Sequence, residues 1–229
     1  MTTSLLTRVG AACGALYVVG AILANDLVAS GSPDSTASAE TIGAWWRAHP
    51  PTSGDWALGF LELLALLCFP VFIVTLAWIL QRADHSTTWL PSAVLGMGLL
   101  SAAVKIASGA PMFALGWRAD TGVSDGLAAA LVDMNEIAFV LTWALDAVLL
   151  AAAGGVILRT RCLPRWLGWF ALVTAPFLLA SVSVAIAGPP LFLLALIWIV
   201  AASVTLVIRP NAAVSAAAEE GVPTVAVPA

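Results

Sequence analysis

The chain has 229 residues, of which 61% are hydrophobic and 10% charged, with a formal charge of -4. Such a chain has too little polar surface to cover a water-soluble domain of this length, so lipid is its expected main solvent. Basic tracts and basic-aromatic interleaving are lacking, which argues against a nucleic-acid partner. Cys13, Cys68 and Cys162 have no metal-like spacing, and their expected depths do not favour a disulfide.

Six apolar segments predict an all-α fold: a polytopic helical bundle with six transmembrane helices. The spans fall at about residues 7 to 28, 56 to 80, 89 to 109, 134 to 158, 167 to 187 and 190 to 208. Each can cross roughly 30 Å of hydrocarbon at about 1.5 Å per residue, the last two near the shorter limit. The first follows Arg8 and resembles the start of a signal peptide, with a small-residue site at Ala37-Ser38-Ala39. Its run from Val9 to Val28 is nevertheless long enough to span, so it is read as helix one. Gly10, Ala11, Gly14 and Ala15 form overlapping small pairs on it. Such pairs permit close helix approach within the monomer or between subunits, and five other helices make the first the simpler expectation.

Residues 29 to 54 form the longest outer loop, turn-rich from Ser30 to Ser35. Ile42, Trp45 and Trp46 beside Arg47 and His49 predict a short helix resting at the membrane interface, stopped by Pro50 and Pro51. Trp56, Trp89 and Trp117 fall near span ends, as in an aromatic belt; a ligand platform is the alternative. Pro70 and Pro176 lie inside spans two and five and can bend them. The fourth apolar stretch begins early, near Gly126, as a continuation of the span or as a separate interfacial helix. Gly188-Pro189-Pro190 leaves so short a connection that spans five and six should form an antiparallel hairpin. Residues 1–210 are thus one membrane domain, and the Ala-rich segment 211–229 with Glu219 and Glu220 is expected to be a disordered cytoplasmic tail.

Arginine placement sets the orientation. Arg8, Arg82, Arg159, Arg161, Arg165 and Arg209 fall on one side, and only Arg47 and Arg118 on the other. The bias places both termini in the cytoplasm of a multi-pass inner-membrane protein.

Ionisable residues within the apolar stretches are the candidate functional groups, because charge is costly in hydrocarbon unless paired or hydrated. Counting from the cytoplasmic ends puts Asp26, Glu62 and Glu136 near the outer boundary and Lys105 somewhat deeper, roughly 22 Å from the start of span three. Glu62-Lys105 is the first pairing expected, with Glu136-Lys105 as competitor. Asp133, Asn135 and Glu136 form a dense polar segment that suits a cation, a substrate amine or simply the polar entrance of span four. Asp146 lies about 18 Å from Leu158, near the bilayer middle. It is either a proton-relay residue or one end of a buried hydrogen bond, with Thr142, Ser101 or Ser108 as polar neighbours. His49 and His85 are expected on opposite faces, which argues against a shared metal or paired haem ligands. Neither metal nor cofactor is expected.

After span four comes Arg159-Thr160-Arg161-Cys162-Leu163-Pro164-Arg165-Trp166-Leu167-Gly168-Trp169. This segment resembles the cytoplasmic hinge of a bacterial multipass family known as domain of unknown function 4386, in which a related Leu-Pro-x-x-Leu-Gly segment joins a long helix to a terminal pair. The resemblance implies a helical fold over about residues 56 to 208, and brings no catalytic residues with it. The arginines of this hinge and Trp166 join Trp45, Trp46 and Trp117 as candidate lipid contacts.

Two functions follow as expectations. One is an integral-membrane interaction or stability protein that binds lipid or a membrane-protein partner through its tryptophan-rich outer surface. The other is a proton-linked carrier, with Asp146 as relay and Glu62, Lys105 and Glu136 around an outward-facing cavity. An enzyme is the less favoured class, since no nucleophile or acid-base set stands out, and homo-oligomerisation is left open.

Overall fold

The computed structural model describes residues 3–28, 31–33, 35–84, 86–183 and 188–209. Among these residues the chain is all-helical: α1 (Thr3–Val28), α2 (Ala39–Ala48), α3 (Ser53–Ala83), α4 (Trp89–Arg118), a 3-10 turn (Ala119–Thr121), α5 (Asp125–Thr160), α6 (Arg165–Ser181) and α7 (Gly188–Ile208). Five of them, α1, α3, α4, α5 and α7, are long and apolar enough to cross a membrane. The fifth expected span is represented by α6, which is apolar but has only 17 residues. At about 1.5 Å per residue it is some 25 Å long, a little under the usual hydrocarbon thickness. The expected cytoplasmic tail 211–229, Asp34 and His85 lie outside the described residues.

The long helices make a closed ring, in which α1 packs on α3, α3 on α4, α4 on α5, α5 on α6, α6 on α7 and α7 back on α1. Inward positions such as Phe72, Ile73, Leu76, Leu150, Ile157, Trp198 and Leu206 form one core. Outward positions such as Leu16, Val19, Val74, Val173, Phe177 and Ile197 are just as apolar yet exposed. Helices that are apolar all round need lipid as the outer solvent. Packing then has to come from close fit, because apolar tails and apolar side chains compete equally.

Glycines supply that fit on α1, within the monomer. A Cβ at Gly10 would lie 2.0 Å from Thr75 Oγ1, and one at Gly14 only 2.2 Å from Ser203 Oγ and 2.7 Å from the Phe72 ring. Gly14 therefore seats α1 against both α3 and α7. Cys13 and Cys68 are free thiols that meet across the same α1–α3 seam.

The early start of the fourth apolar stretch belongs to the span itself, since α5 runs unbroken over 36 residues. Beyond the expected end at 109, α4 continues to Arg118 with Pro111 inside it. These extensions of α4 and α5 give α2 a platform. Ser38 Oγ accepts from Thr41 N and starts α2, which stops at Ala48 before Pro50.

The short helix expected from Ile42, Trp45 and Trp46 has protein under its apolar side. Ile42 is 2% exposed and packs among Leu115, Val123 and Ala128, while Trp46 borders the same cluster. Gly43 allows the approach, since a Cβ there would come within 2.9 Å of Asp125 Cα. Arg47 pins the other end, donating to Asp125 Oδ1 at 2.6 Å and to the Val123 carbonyl at 3.2 Å. α2 is thus a cover on the bundle, its apolar face turned to protein.

The opposite end is held by α5 and the α3–α4 turn. Asp84 is buried and accepts hydrogen bonds from Ser86 and Thr87. Arg159 donates to Ser86 Oγ at 2.6 Å and Thr87 Oγ1 at 3.1 Å, 3.7 Å from the Asp84 carboxylate. Burial would raise the Asp84 pKa, but the hydrogen bonds together outweigh it and bring it down to about 2. Arg159, grouped by its sequence with the headgroup contacts, is a clamp between helices. Arg161 closes α5 in the left-handed region with φ 57°. Leu163 and Leu167 are buried just beyond it, and Trp198 Nε1 donates to the Leu167 carbonyl. Burial pushes the Cys162 thiol up, so it stays protonated at neutral pH.

Candidate functional site

Three helices bring a polar stripe to the end of the bundle covered by α2. On α3, Thr52 and Asp55 form a reciprocal capping box that fixes the first turn. Glu62 follows Asp55 by seven residues, two turns on along the same face. On α4, Ser101, Lys105, Ser108 and Met112 recur at helical spacing toward α5. On α5, Asn135, Phe139, Thr142 and Asp146 do the same.

The deepest part is an ion pair. Lys105 Nζ donates to Asp146 Oδ2 at 2.6 Å and to Ser101 Oγ at 2.7 Å, and Ser101 donates to Asp146 Oδ1 at 2.6 Å. Lys105 is 3% exposed, Asp146 5% and Ser101 0%. The triangle satisfies both carboxylate oxygens and two of the three ammonium N–H groups. The third has the Phe69 ring 4.7 Å away, with Phe192 at 5.9 Å. This corrects the expected partner: Lys105 pairs with Asp146, and among the described residues Glu62 and Glu136 form neither an ion pair with it nor a hydrogen bond to any group. Depth explains the difference. Lys105 reaches along α4 toward the bilayer middle, where Asp146 is buried and an unpaired carboxylate is costliest.

A cavity of about 370 Å³ lies between α3, α4, α5 and α2. Glu62, Lys105, Asn135 and Glu136 all line it, together with Trp45, Trp46, Phe113 and Phe139. Asn135 is fixed by donating to the Ser108 carbonyl at 3.1 Å, and Ser108 in turn donates to the Lys105 carbonyl at 2.8 Å. A second cavity of about 510 Å³ continues outward past Trp56, Asp55 and His49. Glu62 is the one charged residue that lines both.

The remaining candidates divide. Asp133 is exposed and lines neither cavity, so the three-residue spacing to Glu136 does not bring the two carboxylates to one site. Trp117 is 80% exposed and meets Trp56 edge-on, while Trp166, Arg161 and Arg165 are exposed at the far end of the bundle. Trp45 stacks on His49 and meets Trp46 edge-on, at ring separations of 4.7 and 5.1 Å. Among the described residues no three His, Cys, Asp or Glu side chains converge as a metal site requires.

Some participants left no signal in the sequence. Arg47 and Asp125, which hold the cover in place, are 78 residues apart. Phe69 and Phe192 flank the Lys105 ammonium from two other helices and are ordinary apolar residues in any linear reading. Chemically, the arrangement offers an apolar chamber with aromatic walls, a neutralised cation at its floor and two unpaired carboxylates. Comparison with protein-family models, with curated proteins and with solved structures returned no match.

Proposed function

We propose that this chain is a six-span bacterial inner-membrane protein, with both ends cytoplasmic, that binds a small amphipathic molecule or lipid in its outer cavity. The carrying observation is the meeting of Glu62, Lys105, Asn135 and Glu136, drawn from three helices, on one chamber closed by α2. Apolar clefts with a few convergent polar groups are the usual form of a ligand site. Counting α6 as a span is supported by its place in the ring between α5 and α7 and by its exposed Val173 and Phe177. The orientation rests on the arginine bias, with the cavity at the arginine-poor end.

The test fills the cavity. A Cβ at Gly109 would have only ordinary contacts, 3.9 and 4.0 Å from the Phe113 ring, so Gly109→Leu projects into the chamber without displacing backbone. Thermal stability of the nanodisc-reconstituted protein is measured across a panel of cationic, anionic and neutral amphiphiles and extracted lipids. Stabilisation of the natural chain that Gly109→Leu abolishes supports the reading. Stabilisation by every compound alike in both proteins would overturn it.

A second reading, a proton-linked carrier, is favoured by one observation: Lys105 belongs at once to the cavity wall and to the buried pair with Asp146. Occupancy of the cavity would then bear directly on the proton balance of that pair. Ligand flux into liposomes that stops in Asp146→Asn, with the bundle intact, would select the carrier over the binding protein.

A further inference from the structure

We propose that the occupant of this cavity is a small organic ammonium ion with an apolar body, and that Glu62 is its counter-ion. The inference rests on the cavity reading above and names the ligand class. Three observations point to a cation. Among the described residues the one cation on the wall, Lys105, is matched by Asp146 at 2.6 Å and held by Ser101, so it has no net charge to offer an anion. Glu62 and Glu136 line the same chamber with no partner among the described residues, leaving it net acidic. The walls around Glu62 are aromatic: Trp45, Trp46 and Phe113 line both cavities with it.

Each feature does separate chemical work. A carboxylate in a half-buried, low-dielectric site favours a monovalent cation over a neutral molecule. Aromatic faces attract ammonium groups through their quadrupoles, and more strongly once water is excluded. A metal ion suits the site less well, since only two carboxylates, on different helices, line it and no third His, Cys, Asp or Glu joins them among the described residues. The paired Lys105 at the floor is neutralised by Asp146 and leaves the apolar wall to the ligand's hydrocarbon part. Entry leads past Asp55 and Trp56 in the outer cavity to Glu62, the charged residue shared by both chambers.

The experiment is equilibrium dialysis of phenethylammonium, its neutral counterpart 2-phenylethanol and the anion 3-phenylpropanoate against nanodisc-reconstituted protein, with empty nanodiscs as blank. Saturable binding of the ammonium alone is expected. Glu62→Gln keeps the shape, breaks no hydrogen bond and should weaken ammonium binding about tenfold or more. Gly109→Leu should abolish it. Glu136→Gln, at the exposed mouth, should weaken it less, and it serves as the charge-removing variant should Glu62→Gln not accumulate. If the alcohol or the anion binds as well as the ammonium, and Gly109→Leu blocks that binding while Glu62→Gln does not, the cation assignment fails and the cavity reading survives. If none of the three binds at millimolar concentration, or binding ignores Gly109→Leu, both fall.

Discussion

Removing one member of the Lys105–Asp146 pair should cost far more than removing both. Breaking a buried pair typically costs about 3 to 5 kcal/mol, whereas replacing both members with apolar residues is often neutral or stabilising. Neutralisation sets a ceiling here. A stranded carboxyl of ordinary pKa near 3.9 takes up a proton at pH 7 for about 4 kcal/mol, and a stranded ammonium of ordinary pKa near 10.4 loses one for about 4.6 kcal/mol. Lys105 borders the cavity while Asp146 does not, so water can reach the lone ammonium but not the lone carboxylate. Lys105→Met should therefore destabilise by about 3 to 4 kcal/mol, and Asp146→Leu by roughly 2 to 3 kcal/mol. The double variant should fall within about 1 kcal/mol of the natural chain. Reversible unfolding in mixed micelles at pH 7, arranged as a double-mutant cycle, measures all of this. Additive single losses of less than about 1 kcal/mol each would refute the assignment of this pair as a dry tie between α4 and α5.

Four further substitutions have definite outcomes. Gly14→Leu should destabilise by at least about 1 to 3 kcal/mol through overpacking against Phe72 and Ser203. Gly96→Ala, whose new Cβ meets nothing within 4 Å, should gain roughly 0.5 to 1 kcal/mol; thermal midpoints in nanodiscs compare the two. Arg47→Ala should leave global stability within about 1 kcal/mol, since the pair it breaks is partly exposed, yet speed hydrogen exchange of the α2 amides. Unchanged exchange would remove the view of α2 as a latched cover. Asp84 has a folded pKa of about 2, below the ordinary 3.8, so its contribution is present above about pH 4 and lost as pH falls toward 2. Allowing for nearby water, that contribution is about 1 to 2 kcal/mol. Asp84→Asn should thus lower the thermal midpoint at pH 7 and converge with the natural chain near pH 2.

Helix positions were legible because composition and run length alone specify them in lipid: the expected starts of spans three and six fall within two residues of α4 and α7. Most of the cavity was legible too. Glu62, Lys105, Asn135 and Glu136 stand out against apolar neighbours, and their shared depth follows from counting along each span. Pairing was not legible, because depth says how far along a helix a residue sits and nothing of which way it faces. Lys105 could have met Glu62 or Glu136 on that count, and rotation of α4 toward Asp146 decides otherwise. What α2 packs against was hidden for a similar reason. An amphipathic ten-residue helix has the same pattern whether its apolar side rests on lipid or on Leu115 and Val123. Leu163-Pro164 falls in the turn between α5 and α6, and the sequence there carried no chemistry.

The contact between α1 and α7 has a bearing on biosynthesis. Helices reach the membrane in sequence order, so α3, α4 and α5 can enclose the chamber while the last helix is still being made. Gly14, by contrast, stays half-wrapped until Ser203 and its neighbours arrive. Of the helices described, α1 thus precedes all the others in the chain yet waits longest for its full set of neighbours, and a ribosome halted after α6 would display a bundle with a finished pocket and an unzipped seam.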